Sequence, residues 1–154
     1  MAEPKRFREL MRQANRNRDA SRVAVSILKA DSRIAQTIER ALADAGLTLP
    51  QFNVLMELAA SADAALPLYE INARLISTPP NTSWLCARME QSGLVRRRRD
   101  TRDARVVIVA LTETGWAGLA EAAPLVFEAE KGLLAGYSRA ELRDLADLLA
   151  RLLT

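Results

Sequence analysis

The chain has 154 residues, 49% of them apolar and only 5% aromatic, with 22 basic and 19 acidic side chains, one cysteine and no histidine. That length suits a single compact unit able to bury about two-thirds of its extended-chain surface. Without histidine the usual neutral-pH general base, the Ser-His-Asp and Cys-His arrangements and most zinc sites are excluded, and one cysteine excludes an internal disulfide.

The net charge of +3 hides an asymmetry. Met1 to Arg22 carries seven basic and three acidic residues, and Arg96 to Arg105 carries six and two, so these segments hold +8 and the remainder −5. Charge gathered in two patches points to a polyanionic partner. No run approaches about eighteen consecutive apolar residues, so no membrane span is expected. The basic N-terminus has no apolar stretch behind it and does not read as a secretory signal. A cytoplasmic location is the expectation.

In chain order, residues 1–18 read as a basic arm or a short amphipathic helix, with Phe7, Leu10, Met11 and Ala14 at helical spacing. From about Asp19 to Ala45 the stripe Val23, Ile27, Ala30, Ile34, Ile38, Ala41 and Ala45 predicts a long amphipathic helix that Gly46 stops. Thr48-x-x-Gln51 is a capping box with Pro50 in the first turn, opening a helix to about Ser61 with Phe52, Leu55, Met56 and Leu58 inward. Leu66 is expected to make a short extended pairing. A helix then starts at Pro67 with Leu68, Ile71 and Leu75 inward.

Thr78 is expected to cap the next helix, starting at Pro79 or Pro80, because two prolines are tolerated only in a first turn. Thr82, Leu85, Met89 and Ser92 share one of its faces, while Ser83, Trp84, Ala87 and Gln91 point the other way. Gly93 ends it. An arginine-studded strand, a charged turn and the strand Val106 to Leu111 follow. Thr112 caps a long helix to about Ala135, bent at Pro124, and Ser138-x-x-Glu141 opens a last helix striped by Leu142, Leu145, Leu149 and Leu152. Two successive short helices and a basic two-stranded ribbon describe a winged helix-turn-helix, which lays one helix in the DNA major groove. The fold class is mainly α with a small β-wing.

Four pieces make a more specific frame. They are Leu47-Thr48-x-x-Gln51-x-x-Val54-Leu55, Gly93-Leu94-Val95-x-Arg97, Asp100-x-x-Asp103-x-Arg105 and Leu111-Thr112-x-x-Gly115. Together they resemble the MarR family of bacterial transcription regulators, over roughly Leu47 to Leu119. The charged turn between two strands, followed by Leu-Thr-x-x-Gly, is the most specific part. The resemblance implies a DNA-binding lobe at residues 47–112, an N-terminal dimerisation helix at 19–46 and C-terminal dimerisation helices at 113–154. It also implies a homodimer on a palindromic operator in double-stranded DNA, usually as a repressor. A small-molecule effector, often an aromatic acid or a toxic compound, would bind between the dimerisation helices and the DNA-binding lobe. Trp116 and Phe52 could line that pocket, although core packing explains them as well. No cofactor or metal is implied.

The expected DNA-binding residues are Asn81, Ser83 and Trp84 near the start of the reading helix, Arg88 at its flank, and Arg97, Arg98, Arg102, Asp103 and Arg105 on the wing. Trp84 either presses on a thymine methyl or sugar or packs against the protein. Arg96 to Arg99 alternate faces, so only two can face the same way. Arg105 matches the family's minor-groove arginine, and Asp103, two residues before it on one strand face, would hold its side chain. A lone cysteine such as Cys86 is more often a small buried hydrophobe than a sensor. The family's peroxide sensors carry theirs in the N-terminal helix, where this chain has none. Other readings are a constitutive activator or a winged-helix protein-interaction module without specific DNA binding. The strongly basic wing speaks against the latter. Nothing in the sequence assembles an enzyme site.

Overall fold

The structure, a computed structural model, describes residues 3–16, 18–75 and 81–153. Its residues cluster into two units, 1–36 and 37–154. The first holds helix α1 (Glu3–Arg16) and most of α2 (Arg18–Asp44). The N-terminal segment, read as arm or helix, is therefore helical. Phe7, Leu10 and Met11 on α1 and Val23, Leu28 and Ile34 on α2 are exposed, so the apolar stripes exist but are uncovered.

The second unit continues through α3 (Leu49–Ala60), β1 (Ala65–Pro67), α4 (Leu68–Arg74), α5 (Thr82–Gln91), β2 (Val95–Arg99), β3 (Val107–Leu111), α6 (Glu113–Leu133) and α7 (Arg139–Ala150). Both predicted capping boxes form. The Thr48 N–H donates to Gln51 Oε1 at 2.9 Å, and the Ser138 N–H donates to Glu141 Oε2 at 2.8 Å. That bond, with a second to the same Oε2 from the Ser138 hydroxyl at 2.8 Å, lowers the Glu141 carboxyl from its ordinary value. Helix α6 runs through Pro124. No helix among the described residues is long and apolar enough to cross a membrane.

The sheet has the order β1-β3-β2, both pairs antiparallel, so Leu66 does make the short extended pairing its position suggested. Register lines up Leu66, Val109 and Arg97 across the three strands, on one face. Leu66 and Val109 are buried there, together with Leu42, Leu55, Ile71 and Met89, in the core of the lobe. The core thus fixes the relative placement of α5 and the wing. Helix α7, by contrast, buries no residue, and Leu145, Leu148 and Leu149 on it, with Leu152 just after it, are exposed.

Candidate nucleic-acid interface

Helix α5 begins later than the prolines suggested. Asn81 is its N-cap, and Asn81 Oδ1 accepts the Trp84 N–H at 2.9 Å. Thr78, Pro79 and Pro80, the expected cap and first turn, lie outside the described residues. Asn81 thus commits one acceptor site of its carbonyl oxygen to the helix end, and its amide N–H₂ is the group turned to other partners.

The buried face of α5 is Thr82, Cys86 and Met89, with Leu85 half-buried and Ser92 exposed. Ser83, Trp84 and Arg88 are exposed, as the expected reading face requires. Trp84 does not pack into the protein: it is 58% exposed, and the Arg88 guanidinium lies over its ring, 4.8 Å from the centroid. Cys86 is fully buried, and burial pushes its thiol up to about 11, against the opposing pull of the Arg97 cation.

Gly93, at φ +76°, closes α5 and turns the chain into β2. Along β2 the four arginines separate. Arg96 and Arg98 are exposed on one face. Arg97 falls on the core-facing side, with 25% side-chain exposure and its Nε buried. Glu90 meets it there, accepting the Arg97 backbone N–H at 2.7 Å and facing its Nη1 at 3.9 Å. Arg97 is placed as a joint between α5 and the sheet, on the opposite face from Arg98. Arg99 donates from Nη1 to the Ala104 carbonyl at 3.0 Å, tying the strand to the wing tip.

The wing tip corrects the expectation for Asp103. Strand β3 starts only at Val107, so Asp103 and Arg105 lie in a loop and share no strand face. Asp103 Oδ1 accepts the backbone N–H of Arg105 at 2.9 Å, and Asp100 Oδ1 accepts that of Arg102 at 2.7 Å. These are two successive Asx turns. Backbone bonds from Asp100 N to Val106 O and from Val106 N to Asp103 O, each 2.9 Å, close the loop. The repeated aspartate thus shapes the backbone under each arginine and leaves the Arg102 and Arg105 side chains exposed.

The Leu-Thr-x-x-Gly piece has an equally local cause. The Thr112 hydroxyl accepts the Gly115 N–H at 3.0 Å and donates to Gly93 O at 2.6 Å. A Cβ on Gly115 would sit 2.1 Å from Leu94 O and 2.7 Å from a Leu111 methyl. Only glycine lets α6 lie this close to the turn between α5 and β2.

Two concavities flank these elements. One of about 450 Å³ lies between the starts of α3 and α5, walled by Pro50, Gln51, Asn81, Trp84 and Arg88. The other, about 400 Å³, is walled by Gly46, Leu47, Leu94, Ala117 and Gly118. Neither is lined by Phe52, which is buried in the core, nor by Trp116, which is 46% exposed on α6. Among the described residues no group of three or more His, Cys, Asp or Glu is arranged to hold a metal.

Glu90 stands outside the expected site, and Arg99 enters it only as one of the alternating strand arginines. Glu90 had no local signal, since its partner lies across the Gly93 turn. Arg99 could have been phased from Val95, the buried end of the strand.

Residues 45–106 match a model of the MarR family. The chain is 34% identical over 95 residues to the HTH-type transcriptional regulator TtmR of Methylorubrum extorquens, covering 62% of this chain but only 48% of that protein, about half its length. It is 27% identical over 143 residues to the HTH-type transcriptional repressor YetL of Bacillus subtilis, covering 90% of this chain and 86% of that one. Among solved structures it is similar to Sco3205, a MarR-family regulator from Streptomyces coelicolor crystallised with DNA. The TM-score is 0.78 at 25% identity, over 86% of this chain and 84% of that one.

Proposed function

We propose that this chain, a winged-helix transcriptional regulator of the MarR family and not an enzyme, is a cytoplasmic, ligand-responsive repressor that binds a palindromic operator as a homodimer. The observation that carries this reading is the joint exposure of Ser83, Trp84 and Arg88 on α5 and of Arg98, Arg102 and Arg105 on the wing. Helix and wing belong to one lobe whose core fixes their spacing. A helix of this kind reads base edges in the major groove while wing arginines take phosphates or the minor groove.

The homodimer rests on the uncovered apolar stripes. Exposed leucines on α7, and exposed apolar residues on α1 and α2, form stripes that a second copy of the chain would cover. The effector, an aromatic acid or similar small molecule, is assigned to the concavity at Gly46, Leu47, Leu94 and Gly118. That site adjoins the close approach of α6 to the turn after α5, so a ligand there bears on the placement of the reading helix.

The test is selection of bound sites from random duplex DNA, repeated with candidate aromatic acids. Enrichment of inverted repeats with centres about one helical turn, roughly 10 bp, or a small multiple apart is expected. Affinity should fall by about 10³-fold or more between roughly 50 and 200 mM salt if six or more phosphates are neutralised. A nearly flat salt dependence would refute DNA binding, and operator binding indifferent to every ligand would leave a constitutive regulator.

A further inference from the structure

The exposed indole on α5 is the least ordinary group on the reading face. A helix surface meeting DNA phosphates gains little from a large apolar ring. Yet Trp84 is 58% exposed, one helical turn from Arg88, with the guanidinium 4.8 Å above its ring. The Asn81 cap fastens the Trp84 backbone N–H, so the start of the helix that carries the ring is fixed. Between this ring and Pro50 of α3 lies the concavity of about 450 Å³.

Two chemical facts narrow what the pair can meet. In the major groove the only apolar group on an unmodified base pair is the C5-methyl of thymine, and an indole offers a single donor besides its apolar faces. A guanidinium stacked on a ring uses its π face, and its five N–H donors lie in its own plane. Among the described residues no acceptor takes a side-chain N–H of Arg88. The base edge that suits two parallel N–H donors is guanine O6 and N7.

We propose that Trp84 and Arg88 act as one reading unit, with the indole against a thymine C5-methyl and the Arg88 guanidinium donating to O6 and N7 of an adjacent guanine. This rests on the DNA-binding reading above and adds the step that the pair is read. Stacking pre-positions the arginine, which otherwise loses rotamer freedom on binding. Ser83 and Asn81 are left to the neighbouring bases.

The test uses the full chain and a selected operator duplex in which thymines are replaced one at a time by deoxyuridine, removing only the methyl, and guanines by 7-deazaguanine, removing N7. At one thymine per half-site, loss of the methyl should weaken wild-type binding about fourfold, the value of one buried methyl. Trp84→Ala should bind thymine and deoxyuridine operators equally, with thermal unfolding unchanged because the ring is exposed. Arg88→Ala should lose the preference for guanine over 7-deazaguanine at the adjacent position. Wild-type binding indifferent to deoxyuridine everywhere, while still favouring operator over random duplex, would overturn the reading unit and leave the regulator intact. So would a deoxyuridine penalty that survives Trp84→Ala. A chain with no preference for any duplex would overturn both.

Discussion

Asp103 provides a sharp test of the wing, because replacing it changes two things with opposite signs. Its charge sits among the wing arginines that the proposed function assigns to DNA, so removing it should strengthen binding to any duplex. Its Oδ1 also accepts the Arg105 N–H at 2.9 Å, so removing the acceptor loosens the backbone that carries Arg105. Asparagine separates the effects, since its amide oxygen makes the same Asx turn without the charge. A net backbone hydrogen bond is worth about 0.5–1.5 kcal/mol, so Asp103→Ala should bind operator roughly 2- to 10-fold more weakly than Asp103→Asn. Asp103→Asn should itself bind operator and random DNA at least as tightly as wild type. The same hydrogen bond bounds the effect on folding, so Asp103→Ala should cost no more than about 0.5–1.5 kcal/mol of unfolding free energy. The assay is fluorescence anisotropy on operator and random duplexes at fixed salt, with Arg105→Ala added to each variant. Against Arg105→Ala the difference between alanine and asparagine at 103 should vanish, because the turn acts through that arginine. Equal operator affinities for Asp103→Ala and Asp103→Asn would show that the carboxylate matters only as a charge.

Four further outcomes follow from the packing. Gly115→Ala places a methyl against Leu94 O, so urea unfolding should show a loss of about 1–3 kcal/mol, and an unchanged midpoint would refute the close approach. Cys86 should resist thiol reagents near neutral pH until the chain unfolds. Because its folded pKa is raised, the stability it contributes is present below the ordinary thiol value of 9.0 and lost as pH rises towards about 11; rapid labelling of native protein would contradict this. Truncation after Ala140 removes the α7 leucines and should abolish the homodimer and solubility together, so a folded micromolar monomer in sedimentation would count against the assembly. Arg97→Ala should lower stability while leaving the salt slope of DNA binding unchanged, whereas Arg98→Ala should do the reverse.

Much of this was legible from period and punctuation. The stripes of α2, α3 and α7 are dense enough to read, and Thr48, Thr112 and Ser138 each announce a helix start with a partner three residues on. The start of α5 lies later than expected because Thr78-Pro79-Pro80-Asn81 contains two good caps: the prolines suit a first turn after threonine, and equally a lead-in to a helix that asparagine caps. At Asp103 two rules competed for one spacing. An acid and an arginine two apart share a face in a strand, but an aspartate two before an N–H also makes an Asx turn, and in a loop of seven residues the turn prevails. The cover over the leucines of α7 lies in no part of the described chain, so a single sequence marks the need for it without naming the contact.

The same phasing changes what the basic wing offers to DNA. By composition Arg96 to Arg105 is a block of six positive charges. In the folded lobe Arg97 faces Glu90 on the core side, and Arg99 is tied to the Ala104 carbonyl. That leaves Arg96, Arg98, Arg102 and Arg105, in two pairs, one on a strand face and one at the tip. The tip pair sits on the two Asx turns, whose carboxylates are engaged with backbone N–H groups. The wing aspartates therefore offset the repulsion that their charge adds by shaping the loop under the tip arginines. They set the backbone under the tip arginines and so their spacing, and in the DNA-binding reading proposed above that spacing, more than the summed charge, is what a narrow minor groove would discriminate.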